Sequence, residues 1–155
     1  MRVFRIERER YLKDTLRGIG VSLSDGSRWN SFGTFLVYTA ESRALAMLEV
    51  SVHLDLRLEL PSDRLMVEIE IADSVKILEI SRKDLPKNWN AKPPSKQSQF
   101  IGNQFVRYNE AAVLKIPSSL VEKEFNYLIN PNHSESSKIK VIGFKAFNFY
   151  QRLKN

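Results

Sequence analysis

Apolar and polar positions divide this chain into short segments of two periods. Residues 65–71 (LMVEIEI) alternate and predict a strand, since successive strand side chains point to opposite faces. Residues 75–80 are a candidate partner for it. Residues 3–6 alternate in the same way. Short apolar runs at 35–38, 113–116 and 126–129 read as strands, and another is placed near 138–144, before an aromatic run of Phe144, Phe147, Phe149 and Tyr150. Residues 40–54 carry helical spacing, with Thr39 as the expected N-cap and Glu41 in the first turn. A second helix is expected over about 97–110, and three prolines make 81–96 an irregular connection.

Residues 18–34 break the pattern. They hold four of the six glycines, with Ser, Asp and Asn between them. A loop this long inside a compact domain is usually functional or disordered, and the embedded Trp29 and Phe32 argue against disorder. Strands and helices mix without regular βαβ alternation, and no repeat or long linker divides the chain. The pattern therefore predicts one α+β domain over residues 1–155.

Composition narrows the chemistry. With no cysteine there is no disulfide, thiolate zinc site or cysteine nucleophile, which fits a reducing compartment. Two histidines, His53 and His133, argue against a multi-histidine metal site, and no metal is expected. No apolar stretch is long enough to span a membrane or serve as a secretory signal, so the expected location is the cytoplasm, with no membrane partner. The net charge of +6 favours anionic partners, but the basic residues are spread out. The one dense cluster, residues 5–17, alternates in sign and reads as a solvated face.

Glu49 is the most informative residue. On a wheel of about 100° per residue with Leu45 at zero, Leu48 falls at roughly 300°, Val52 at roughly 340° and Glu49 at roughly 40°, beside the apolar stripe. Such a carboxylate either reaches solvent from the stripe's edge or is held inside with a raised pKa or an arginine partner. Arg28 lies in the glycine-rich loop, where its fork suits a phosphate or pairs with a surface carboxylate. Tyr38 closes a strand just before the Glu49 helix and is either a core residue or a cleft residue. Ser118 and Ser119 end another strand after Pro117, where they bond a ligand or make a turn. His53, one turn beyond Glu49, reads more readily as a helix end than as a base, and His133 as loop. Neither GxxxxGK[ST] nor GxGxxG is present, so a P-loop or Rossmann nucleotide site is excluded.

Five blocks in order, Arg28-Trp29-Asn30, Val37-Tyr38-Thr39-Ala40-Glu41-Ser42, Ala44-Leu45-Ala46-Met47-Leu48-Glu49-Val50, Ile116-Pro117-Ser118-Ser119-Leu120 and Asn126-Tyr127-Leu128-Ile129-Asn130-Pro131, resemble those of the RES domain. The resemblance runs from about Arg5 to the C-terminus. It implies a fold similar to the ADP-ribosyltransferase toxins, with central mixed or antiparallel sheets and flanking helices. It also implies the toxin of a bacterial toxin–antitoxin pair that depletes NAD+ as a phosphorylase or glycohydrolase, or modifies a protein target instead. NAD+ would be substrate rather than cofactor, and inorganic phosphate a co-substrate.

The implied partner is a helix-turn-helix antitoxin that covers the active site and carries the only contact with operator DNA; the apolar tail could also supply a homodimer surface. By position, Arg28, Tyr38, Glu49 and Ser118 match the family's catalytic residues. Arg28, Arg5, Tyr38, Ser118 and Ser119 are the candidates for holding NAD+ or phosphate, with Ser119 a substitute for Ser118. Two departures, Gly26-Ser27 in place of a glycine pair and Phe35 where proline is common, affect loop shape and remove no reactive group. A reading from another class, a nucleic-acid-binding module or ribonuclease toxin, rests on the +6 charge and 16 aromatic residues, without a recognisable binding motif.

Overall fold

The computed structural model describes residues 1–55 and 57–154. The alternating segment becomes β3 (Arg64–Ile71), with Leu65, Val67, Ile69 and Ile71 buried on one face. It pairs antiparallel with β1 (Arg2–Arg8) on one side and β7 (Ile139–Phe147) on the other. The sheet continues from β1 through β2 (Val37–Ala40), β6 (Phe125–Ile129) and β5 (Val113–Pro117) to β4 (Ile77–Glu79), in the order β4-β5-β6-β2-β1-β3-β7. Every pairing is antiparallel except β4 with β5, so the sheet is mixed and the fold is α+β, as expected.

One face of the sheet carries Val3, Val67, Ile69 and Ile71 together with Val37, Val113 and Ile129 in a single apolar cluster. Fully burying a side chain of this size stabilises by about 1.5–3 kcal/mol. The other face carries two clusters. Leu114, Ile116 and Leu128 pack with Trp29, Leu36 and Phe105. Phe4 and Ala40 pack under Leu45 and Ala46 of α2 (Arg43–Ser51). Trp29 belongs to the glycine-rich loop and Phe105 to α3 (Lys96–Tyr108), so that loop, which includes the short α1 (Ile19–Ser22), is packed against the sheet.

Three expectations are corrected. The segment at 75–80 does not pair with β3, because β1 and β7 occupy both of its edges; residues 77–79 instead run parallel to β5 at the far end of the sheet. Thr39 does not cap the helix. It stays in β2 opposite Tyr127, and its hydroxyl donates to the Tyr127 carbonyl at 2.7 Å. Ser42 is the N-cap, its Oγ accepting from Leu45 N at 3.0 Å, so the helix starts later and ends earlier than 40–54. Glu41 consequently lies outside the helix, where it accepts from Phe125 N at 3.0 Å. The other elements fall within a few residues of expectation. Among the described residues, no helix is long and apolar enough to cross a membrane.

Candidate active site

β1 and β2 meet at one register pair, Phe4 with Ala40, whereas β1 pairs with β3 along its whole length and β2 with β6 over four residues. Beyond that single pair the two strands separate. A cleft of about 870 Å³ opens there, lined by Arg5, Ile6 and Arg8 from β1, Tyr38, Thr39 and Ala40 from β2, and Glu49 and Val50 from α2. Its size falls within the roughly 300–1,000 Å³ of small-molecule and cofactor sites. Five of its lining side chains are cationic, Arg5, Arg8, Arg28, Arg64 and Lys92, and Glu49 is the one carboxylate among them.

Glu49 is half-buried on the cleft side of α2. Its Oε1 accepts from Asn126 Nδ2 at 2.7 Å and, at a longer 3.4 Å, from Ser118 Oγ. Neither the solvent-facing reading nor the arginine-paired one describes it: the hydrogen-bonding partners are an amide and a hydroxyl. The Ala40–Asn126 register places Asn126 beside the α2 contact, and the Ile116–Asn126 register brings the end of β5, and so Ser118, next to it. Asn126 was not among the sequence candidates. Its Oδ1 is buried without a hydrogen-bond partner among the described residues. Such an orphaned acceptor costs about 1–3 kcal/mol.

Ser118 is buried, and its Oγ also accepts from Leu120 N at 3.0 Å and Val121 N at 3.2 Å. It makes a turn and touches Glu49 at once. Ser119, the alternative, lines the cleft itself.

Arg28 is positioned by backbone rather than by a carboxylate. Its Nη1 donates to the carbonyls of Trp89 at 2.9 Å and Ala91 at 3.0 Å, within the proline-rich connection. Trp29 and Trp89 stack at 5.9 Å and tie the same two segments together. Burial lowers the Arg28 pKa, and the charge of Glu49 opposes that shift. Tyr38 holds this loop from the sheet: its hydroxyl donates to Asn30 Oδ1 at 2.6 Å and accepts from Trp29 N at 3.1 Å. Burial pushes the phenol pKa far above its ordinary value. Tyr38 therefore both lines the cleft and fixes the backbone beside Arg28.

Two close approaches make the loop possible. Gly102 of α3 touches the Trp29 backbone so tightly that a Cβ there would sit 1.6 Å from the Trp29 carbonyl oxygen. Gly18 adopts φ of 67° with the Leu36 backbone 2.8 Å from where its Cβ would be. From α3, Gln99 Nε2 donates to the Asp25 and Ser27 carbonyls, while Asn103 Oδ1 accepts from Ser31 N and Thr34 Oγ1.

In the 5–17 cluster Arg8, Glu9, Arg10, Lys13, Asp14 and Arg17 are exposed, as the solvated reading expects, and Arg5 is the departure. It is half-buried: Nη1 donates to the Thr15 carbonyl at 3.1 Å, Nη2 pairs with Glu7 at 3.0 Å, and the buried Nε has no partner among the described residues. Burial lowers its pKa, opposed by Glu7. His53 lies exposed in the turn after α2 and lines the cleft, but gives Glu49 no hydrogen bond. His133 caps a 3₁₀ turn, its Nδ1 accepting from Glu135 N. Among the described residues, no group of three His, Cys, Asp or Glu side chains is placed to hold a metal.

The RES domain profile matches residues 2–149. The chain is 42% identical over 132 residues to a protein of Sphingobium sp. (strain YBL2) named Prs ADP-ribosylating toxin, covering 84% of this chain and 81% of that one. It is 36% identical over 155 residues to Toxin Res of Yersinia enterocolitica serotype O:8, covering 99% of this chain and 100% of that protein. In three dimensions it is similar, with a TM-score of 0.75 at 14% identity, to a chain of the M. tuberculosis MbcT–MbcA toxin–antitoxin complex, covering 99% of this chain and 86% of that one. Motif order, profile match and full-length relatives agree that this chain belongs to the RES domain family.

Proposed function

We propose that this protein is the toxin of a toxin–antitoxin pair and that it cleaves the nicotinamide–ribose bond of NAD+, with phosphate or water as acceptor. The observation that carries the reading is a single hydrogen-bonded carboxylate, Glu49, set among five cations in a largely apolar cleft of cofactor size. As the C–N bond breaks, nicotinamide leaves with the bonding electron pair and positive charge develops on the ribose. Glu49, oriented by Asn126 and Ser118, accepts a hydrogen bond from a ribose hydroxyl and stabilises that charge; removing one such preorganised group typically costs about 10²–10³ in rate. Arg28 holds the pyrophosphate or the attacking phosphate, with Arg5 as a further cation. Tyr38 offers its ring to nicotinamide while its hydroxyl keeps the Arg28 segment in place, and Ser119 contacts ribose or phosphate from the cleft wall. Attack by phosphate forms ADP-ribose-1″-phosphate and attack by water forms ADP-ribose.

Incubating the protein with NAD+, with and without inorganic phosphate, tests this by chromatography. Nicotinamide release is expected; dependence on phosphate identifies a phosphorylase, and release without it a glycohydrolase. A second reading, transfer of ADP-ribose to a protein, is favoured by the name of the Sphingobium relative. Label from NAD+ that becomes protein-bound would select it. A nucleic-acid-binding or ribonuclease reading loses support because the cleft gathers five of the cations that motivated it; strongly salt-dependent RNA binding would restore it.

The same proposal includes a cytoplasmic location and a helix-turn-helix antitoxin covering the cleft, with operator DNA bound only through that antitoxin. A homodimer would use the exposed Ile142, Phe144 and Tyr150 near the C-terminus.

A further inference from the structure

The β1–β3 register sets Arg8 directly opposite Arg64, and both line the cleft. Directly opposed residues share a face with Cβ atoms about 4.5–5.5 Å apart, and like charges so placed are destabilising. The neighbouring carboxylates compensate only one of the two charges. Asp63 pairs with Nη1 of Arg64. Glu7 accepts from Arg8 through its backbone N–H, while its other oxygen serves Arg5 and Thr15. The Arg8 guanidinium has no acidic partner among the described residues, and the Arg64 side chain is only 11% exposed despite its charge. Two arginines set opposite each other at a cleft wall can both reach a tetrahedral phosphoryl anion, since each planar fork donates to its oxygens. This pair stands on β1 and β3, whereas Arg28 and Lys92 belong to the loop and the proline-rich connection.

We propose that Arg8 and Arg64 form a phosphate-binding subsite of the cleft, distinct from Arg28. Its occupant is a phosphoryl group, either inorganic phosphate acting as acceptor or the 2′-phosphate of NADP+. The identity of that occupant rests on the NAD+-cleaving reading; the anion site does not.

The test begins with turnover suppressed by Glu49→Gln, titrating inorganic phosphate and, separately, NADP+ and NAD+ into that full chain and into the same chain carrying Arg8→Gln or Arg64→Gln, by calorimetry. A lost charge-assisted fork should weaken binding of the occupant about tenfold or more, and Arg8→Lys should recover part of it. Weakened phosphate binding, with NAD+ and NADP+ unchanged, assigns the subsite to inorganic phosphate and predicts a raised phosphate KM. Weakened NADP+ binding with NAD+ unchanged assigns it to the 2′-phosphate. Arg8 is exposed, so its variant decides the matter if Arg64→Gln fails to fold. Undiminished affinity of the folded Arg8→Gln chain for both phosphate and NADP+ would overturn the proposal. Wild-type protein that binds phosphate through Arg8 yet never releases nicotinamide would keep the subsite and overturn the NAD+-cleaving reading instead.

Discussion

In the proposed reaction Glu49 acts through its neighbours as much as through its own charge. Asn126 supplies its shorter hydrogen bond, while the Asn126 Oδ1 is buried without a partner among the described residues. Asn126→Ala should lower nicotinamide release about ten- to a hundredfold. It should cost little stability, because the orphaned acceptor goes with the amide; a melting-temperature scan beside the assay separates the two effects. Tyr38→Phe should have the opposite balance. It keeps the ring but strands Trp29 N and Asn30 Oδ1, costing about 1–3 kcal/mol in a urea titration. The Tyr38 pKa is raised on folding, so its contribution is fully present below the unfolded pKa of about 10 and is lost as pH rises above it. The gap between wild type and Tyr38→Phe should therefore be constant up to about pH 10 and shrink above it.

At the scale of elements, α3 is the platform on which the glycine-rich loop is built. Gly102→Ala places a methyl against the Trp29 carbonyl and must displace the backbone next to Arg28. Overpacking of this kind typically costs about 1–3 kcal/mol. Nicotinamide release should fall further than that loss of stability explains, measured at a temperature where the variant is fully folded. β3 was legible in the sequence because a half-buried strand writes its period into the chain. The place of Glu49 near the buried side of α2 was legible only in part: Leu45 is buried as the helical wheel requires, but Val52 caps the helix and is exposed, and Ala46 completes the buried face instead. The pairing of β4 was not legible: the strand lies inside the expected 75–80 segment, but its parallel partner is more than thirty residues away and leaves no local signal. Asn126 was hidden because one amide in an apolar run reads as a strand end. Its importance arises from the register with Ala40, which no spacing along the chain reveals. The cap moved from Thr39 to Ser42 because pairing with β6 holds Thr39 in the sheet.

For the whole molecule, the split between β1 and β2 turns a continuous sheet into a wall with an opening, and α2 carries the carboxylate to that opening. The cleft concentrates positive charge that composition showed only as a modest surplus. Binding of ADP-ribose should therefore weaken as ionic strength rises, detectable as a smaller rise in melting temperature at high salt. The central claim is that Glu49 performs the chemistry in this cleft. Its most direct test compares wild type with Glu49→Gln for nicotinamide release from NAD+ in phosphate buffer, both confirmed folded. Release by wild type with a loss of about a hundredfold or more in the variant is the predicted result; undiminished release by a folded Glu49→Gln protein would contradict it.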